Sequence, residues 1–314
     1  MIRIGLDVMG GDFAPEVNIA GAILARQLLT DDVQLVLIGD QPKIEELIKS
    51  RNGIHISGTE IAHASEVIEM GDHPAKAFAQ KPNSSINVGF QLLQAGKIDG
   101  FASIGSTGAM MVGAMYTVKS IPGIIRPAIT SPIPKVNGKY TLILDVGLNS
   151  DCKPDVLYQY GILGSLYAEF VYKYANPRVG LLNIGSEAEK GNLLTKAAFQ
   201  AMSGTKDFNF IGNIEGHDIY NEDVDVVVCD GFVGNIVLKQ AEALYSLAKQ
   251  RNIDDPYFAK FNFENYGGTP VLGINSNVMI GHGASNDIAI KNMILHTKEV
   301  IEANLPFKIR EFFK

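Results

Sequence analysis

Short apolar runs alternate with longer stretches in which apolar residues recur every three or four positions, and this alternation covers most of the chain. The first kind predicts strands buried on both faces, the second amphipathic helices. A strand at 2–8 is followed by a helix at 15–29 that carries proline in its first turn, then a strand at 33–40 and a helix at 42–50. A short strand is expected at 54–59. Residues 61–84 give mixed signals and read as a loop with one helix. A helix at 85–96, a strand at 98–105 and a helix at 106–119 come next. Residues 121–138 turn proline-rich and irregular, and are taken as the crossing between two subdomains. Beyond them lie strands at 140–147, 177–185, 208–214 and 224–231, separated by helices at 155–175 and 192–203 and followed by a helix after Gly234. Residues 271–305 read as one or two short strands and a closing helix.

Strands alternating with helices predict an α/β fold on a mostly parallel sheet. The expected division is a first α/β subdomain at 1–125, completed by 270–314, and a second at 126–269.

Five glycine-bearing loops fall where an apolar run ends and a helix begins: 7–15, 102–111, 144–154, 182–192 and 226–235. Loops at the carboxyl ends of parallel strands converge on a crevice, and free N–H groups at helix starts bind anions there. Neither GxGxxG nor GxxxxGK[ST] occurs, so a phosphate-like group, and not a nucleotide, is the expected ligand.

Composition narrows the classes. With 314 residues, 46% hydrophobic and 19% charged, the chain has the means to bury a large core. A net charge of −7 argues against a large nucleic-acid footprint. The amino terminus reads directly as strand and turn with no signal peptide, and no run reaches the ~18 apolar residues of a membrane span. Two cysteines, Cys152 and Cys229, have neither disulfide-framework nor metal-ligand spacing, which suits a reducing cytoplasm. The histidines show no ligand spacing, and no metal or cofactor is expected.

Candidate chemistry gathers in the loops. Ser106 and Thr107 precede Gly108 at a helix start, where they serve either as caps or as an anion nest. Asp7 and Asp12 flank a glycine pair, aiming a carboxylate into the crevice or closing the turn through their own backbone. Asp145 and Asn149 occupy a similar strand end. Lys190 with Asn192 is the best cationic candidate. Asp230, Gly234 and Asn235 stand at the end of a doubly buried strand, where Cys229 reads as a core residue and not as a nucleophile. His282, between two glycines and three residues before Ser285, is a candidate acid or base, because histidine titrates near neutrality.

The ordered motifs DVMGGDFAP, SIGSTGAMM, RPAI, LDVGLN, LLNIGSEAEKGN, FIGNIEG, DGFVGN, NYGG and HGAS span nearly the whole chain. Together they closely resemble the bacterial phosphate acyltransferases that convert acyl-acyl carrier protein to acyl phosphate, the PlsX family. The resemblance implies a three-layer α/β/α fold related to the phosphotransacetylases and the isopropylmalate dehydrogenase superfamily, usually as a homodimer. It implies acyl carrier protein and inorganic phosphate as substrates, and a membrane glycerol-3-phosphate acyltransferase as recipient of the product. The chain departs from the family at Phe13, where relatives carry histidine, at Ser106, which replaces an amide, and at Cys229, which replaces threonine. Residues 239–263 are shorter than the helical hairpin that relatives use at the membrane, leaving a cytoplasmic protein whose peripheral membrane attachment is an open alternative.

On this reading Ser106, Thr107 and Gly108 form a phosphate or oxyanion nest. Asp12, Asn149, Asp230, Gly234 and Ser285 complete the binding loops, and Lys190, Asn192 and Asn235 position phosphate. His282 protonates the leaving thiolate or orients the nucleophile. Arg126, Lys135 and Lys139 are candidates for the acidic carrier protein. The rivals are a coenzyme A-dependent phosphotransacetylase, a metal-dependent decarboxylating dehydrogenase of related fold, and a non-catalytic scaffold for acyl carrier protein.

Overall fold

A computed structural model describes residues 1–50 and 58–314. The expected strand at 54–59 falls almost wholly outside them. In chain order the first elements are β1 (Ile2–Asp7), α1 (Glu16–Arg26), β2 (Val33–Gly39), α2 (Gln41–Ser50), β3 (Thr59–His63), α3 (Pro74–Gln80), α4 (Ser85–Gln94), β4 (Gly100–Ser103) and α5 (Thr107–Gly113). The chain continues with β5 (Ala128–Pro134), β6 (Tyr140–Leu144), α6 (Pro154–Phe170), β7 (Arg178–Leu182), α7 (Leu193–Met202), β8 (Asn209–Ile214), β9 (Val226–Val228) and α8 (Gly231–Gln250). It closes with α9 (Pro256–Ala259), β10 (Gly268–Leu272), β11 (Asn277–Gly281), α10 (Asp287–Glu302) and α11 (Leu305–Phe312).

The chain divides into two compact units, Met1–Ser120 with Phe263–Pro306 and Ile121–Asn262 with Phe307–Lys314. The carboxyl-terminal residues therefore pack with the second unit, where the sequence division had left them with the first. The reason is local: Phe313 lies against Gly123, and the Lys308 ammonium sits 4.8 Å from the centre of the Phe170 ring.

In the first unit the strands run β3-β2-β1-β4-β11-β10. All neighbouring pairs are parallel except β10 with β11. Ile4 and Leu6 of β1, Leu35 and Leu37 of β2 and Phe101 of β4 have no exposed surface, which accounts for the continuous apolar runs. The Phe90 and Phe101 rings meet edge-on, 5.2 Å apart at 76°. After β1 the chain moves to one side, through β2 and β3, and β4 then pairs on the other side of β1. The order reverses there, and the loops after β1 and β4 open at the position where α/β sheets bind ligands.

In the second unit the order is β5-β6-β9-β7-β8, parallel apart from β5 with β6. β5 occupies the proline-rich stretch that the sequence reading left irregular. Lys135 N–H donates to Lys139 O at 2.8 Å, so odd-numbered N–H groups of β5 face β6. The donors missing at Pro132 and Pro134 fall on the opposite edge, where this ladder does not need them. Tyr160, Tyr167 and Leu163 of α6 are buried, as are Leu142, Leu144, Val226 and Val228, and α6 meets the sheet where Gly164 lies against Val226 and Leu144.

Candidate functional site

In the first unit, Asp7 ends β1 with no exposed surface. One carboxylate oxygen accepts from Met9 N–H at 3.0 Å and the other from the Ser103 hydroxyl at 2.7 Å. Burial raises the Asp7 carboxyl above its ordinary value, while hydrogen bonds from Ser103, Ser85 and the N–H groups of Met9 and Gly10 pull it back. Ser103 in turn accepts from Gly105 N–H at 2.9 Å. Asn18, buried in α1, donates to Asp7 O at 3.1 Å and Gly10 O at 3.0 Å. These bonds bring two backbones together so closely that a Cβ on Gly10 would stand 2.7 Å from Gly105 Cα. Asp7 closes its own turn through Met9 N–H, one of the two readings, and is also a buried brace for both loops.

The predicted nest follows directly. Ser106 caps α5, its hydroxyl accepting from Ala109 N–H at 3.4 Å, while Thr107 is exposed and Gly108 lies against the Pro74 ring. Asp12 N–H donates to Gly283 O at 2.9 Å, which ties the first glycine loop to the His282–Ser285 turn. The His282 ring is exposed and lies 4.9 Å from the Phe263 ring. Its Nδ1 accepts from Ala284 N–H at 3.2 Å, so neutral His282 carries its proton on Nε2 and presents a donor. Ser285 is fully buried, and its hydroxyl has no hydrogen-bond partner among the described residues.

In the second unit the equivalent brace is Asp145. Its carboxylate accepts from Ile129 N–H at 3.1 Å, Leu148 N–H at 3.4 Å and Asn149 N–H at 2.6 Å. Burial raises this carboxyl, against hydrogen bonds from Asn149 and Ile129. Asn149 donates from its amide to Pro127 O, Asp145 and the Tyr160 hydroxyl at 2.8, 3.1 and 2.8 Å, and its Oδ1 lies 3.5 Å from Arg126 Nη1. The amide expected to meet substrate is thus turned inward, and Arg126 is the exposed member of the group. Gly231 N–H donates to Asn149 O at 2.7 Å, and a Cβ on Gly234 would lie 1.9 Å from Asp145 O. The start of α8 is therefore pinned to the loop after β6.

The remaining candidates line the ends of β7 and β9. Asp230 caps α8 through Val233 N–H at 2.9 Å, and Asn192 caps α7 through Thr195 N–H at 2.9 Å. Both border a cavity of 240 Å³ with Asn183 and Leu181. Lys190 is exposed, with its ammonium 4.0 Å from Glu187, and does not line that cavity. Asn235 is exposed beside Gly147.

The model of a family described as fatty acid synthesis protein matches residues 2–255. The phosphate acyltransferase of Desulforamulus reducens is 42% identical over 330 residues, covering 99% of this chain and 97% of the relative. That of Halothermothrix orenii is 41% identical, covering 99% and 98%. The chain belongs to the phosphate acyltransferase family. It is an acyltransferase of lipid synthesis. Its fold is shared by the EutD phosphotransacetylase from Staphylococcus aureus, at a TM-score of 0.62, 18% identity and coverage of 96% and 94%. A phosphotransacetylase from Streptococcus pyogenes has a TM-score of 0.64, also at 18% identity, with coverage of 95% and 94%.

Neither thiol of this acyltransferase is poised as a nucleophile. Burial raises Cys229 well above its ordinary value, and burial together with the nearby Asp145 and Asp230 carboxylates raises Cys152 to about 11 despite a hydrogen bond from Tyr160. Lys135 leaves the group of carrier-protein candidates: its ammonium is buried and pairs with Asp225 at 2.7 Å, and Asp225 also pairs with Arg178 at 3.0 Å. Lys139 remains exposed. Asn18, Ser85, Ser103 and Tyr160 were missed by sequence reasoning. The available signal was a lone polar side chain within an apolar face, which on its own marks no site.

Proposed function

We propose that this chain transfers a long-chain fatty acyl group from acyl-acyl carrier protein to inorganic phosphate, reversibly, giving an acyl phosphate for phospholipid synthesis. A phosphate oxygen attacks the thioester carbonyl, an O–C bond forms as the C–S bond breaks, and the leaving thiolate takes a proton. Phosphate is already a competent nucleophile near neutrality, so the work is positioning and oxyanion stabilisation. The observation that carries this reading is the pairing of rigid, braced polar loops with two thiols held away from ionisation, which favours direct attack over an acyl-cysteine intermediate.

In the first unit, Ser106, Thr107 and Gly108 offer backbone N–H groups to an anionic oxygen, with Ser106 fixing the turn as its cap. His282 donates from Nε2 to the departing sulfur. Asp12 and Ser285 shape the same loops. In the second unit, Lys190, Asn192 and Asn235 hold phosphate, and Asn149, Asp230 and Gly234 set the backbone that presents them. The homodimer, the cytoplasmic location and the hand-over to a membrane glycerol-3-phosphate acyltransferase rest on the family resemblance. No described helix is long and apolar enough to cross a membrane.

The test is incubation with long-chain acyl-acyl carrier protein, with and without phosphate, trapping acyl phosphate with hydroxylamine. Phosphate-dependent acyl phosphate is expected. Thioester loss that ignores phosphate rejects the reading, a preference for acyl-coenzyme A makes the chain a phosphotransacetylase, and carrier binding without turnover makes it a scaffold.

A further inference from the structure

Residues 66–84, which run from just after β3 to the start of α4, have no part in the acyl-transfer roles, yet they touch both loops of the first unit that carry them. The ends of this segment are joined to each other. Glu66 N–H donates to Asn83 O at 3.2 Å, Ser85 N–H to Glu66 O at 3.2 Å, and Asn83 N–H to the Glu66 carboxylate at 2.8 Å. Ile68 and Ala77 are buried, and the Phe78 ring meets Phe90 edge-on at 6.2 Å. A surface loop with closed ends and packing of its own keeps its shape, and such loops commonly carry function.

One side chain fixes the tip from within. The Lys81 ammonium donates to Val67 O at 2.8 Å and to the Asp72 carboxylate at 2.6 Å, and Asp72 also accepts from Glu69 N–H at 3.0 Å. Both partners of the pair are partly exposed, where an ion pair adds little stability, so what this one contributes is geometry.

The tip reaches the candidate site at two points. Pro74 lies so close to Gly108 that a Cβ there would collide with its ring. The Met70 methyl would stand 3.2 Å from a Cβ on Gly283, with the Asp12 carboxylate 3.6 Å from the same point. Gly108 belongs to the nest for the thioester oxygen, and Gly283 follows the proton donor His282. The tip therefore spans from one to the other. Met70 is 53% exposed, so a polarizable apolar side chain seated beside the His282 turn still offers half its surface to a ligand.

We propose that residues 69–74 cover the bound thioester and keep water from it, with Met70 against the acyl carbons next to the carbonyl, and that Lys81 is a positioning residue that seats Met70 through Asp72. The proposal rests on the acyl-transfer reading above. Its chemical consequence is acceptor choice. Water attacking the same carbonyl forms an O–C bond, breaks the same C–S bond and yields the free fatty acid and the thiol. Excluding water lets bound phosphate take the acyl group instead.

The ratio of the two products tests it. Free fatty acid and acyl phosphate are measured as initial rates in one incubation with long-chain acyl-acyl carrier protein and phosphate, after subtracting hydrolysis without protein. Met70→Ser, at an exposed position, is expected to raise the ratio of fatty acid to acyl phosphate by about tenfold, the equivalent of ~1.4 kcal/mol. Lys81→Met is expected to raise it likewise, and Lys81→Arg to keep the parent ratio. A purely structural defect lowers both rates together and leaves the ratio where it was. On the unaltered protein, a donor with a diazirine close to its thioester is expected to label residues 66–84. An unchanged ratio in Met70→Ser or in Lys81→Met, a shift as large in Lys81→Arg, or label found only outside that segment overturns the assignment. Failure of the unaltered protein to make acyl phosphate from any donor instead rejects the transfer reading itself.

Discussion

The Ser103 hydroxyl donates to the buried Asp7 carboxylate at 2.7 Å and accepts from Gly105 N–H at 2.9 Å, so one side chain joins the ends of β1 and β4. Ser103→Ala strips Asp7 of a hydroxyl donor and leaves a backbone N–H unpaired. The expected cost is roughly 1–3 kcal/mol in urea unfolding. If Asp7 braces the loops, kcat falls further than this stability loss explains, and an unchanged kcat argues against the brace.

Gly234→Ala puts a methyl group 1.9 Å from Asp145 O, a contact with backbone that no rotamer relieves. We expect destabilisation of roughly 3 kcal/mol or more and displacement of the start of α8. A thermal unfolding midpoint within a degree or two of the parent protein contradicts the packing described here.

Burial works to raise the Asp225 carboxyl, but hydrogen bonds from Arg178 and Lys135 outweigh it and hold the group at about 2. Because this value lies below the ordinary ~3.9, the pair stabilises the fold at higher pH, and that contribution is lost as pH falls from about 4 through about 2. Asp225→Asn is expected to flatten the stability curve across that window. It also leaves the buried Lys135 ammonium without its carboxylate, costing on the order of 3–5 kcal/mol at neutral pH. Urea titrations from pH 2 to pH 7 read both effects.

With Cys152 held at about 11 and Cys229 well above its ordinary value, iodoacetamide at neutral pH is expected to leave activity intact. The Cys152→Ala, Cys229→Ala double variant is expected to keep kcat within about tenfold, whereas removing a true nucleophile costs on the order of 10⁴-fold or more. Capture of an acyl-cysteine by mass spectrometry would sink the direct-attack mechanism.

His282→Gln is expected to lower kcat by about 10²–10⁴-fold for alkyl thioesters. Donors with an acidic aryl thiol, which leaves without a proton, are expected to recover most of that loss. The same deficit with both donor types assigns His282 to structure instead of proton transfer.

The apolar runs of β1, β2, β6, β7 and β9 were legible in the sequence because a strand buried on both faces has no room for polar residues. The glycine loops were legible because positions such as Gly10 and Gly234 admit no side chain. β5 was hidden by Pro132 and Pro134, since only the pairing with β6 shows that their missing donors lie on the edge turned away from β6.

Within the loops, the sequence by itself determined where polar side chains would meet strand ends, and the order of motifs was specific enough to place the chain in its family. Only the tertiary structure decided which way those side chains face. Asp7, Asp145 and Asn149 turn inward as braces, Lys135 is buried on Asp225, and Lys190 and His282 stay exposed. The physical reason is that burial and hydrogen-bond partners come from residues far away in the chain, as Asp7 and Ser103 are, and local spacing carries no record of them.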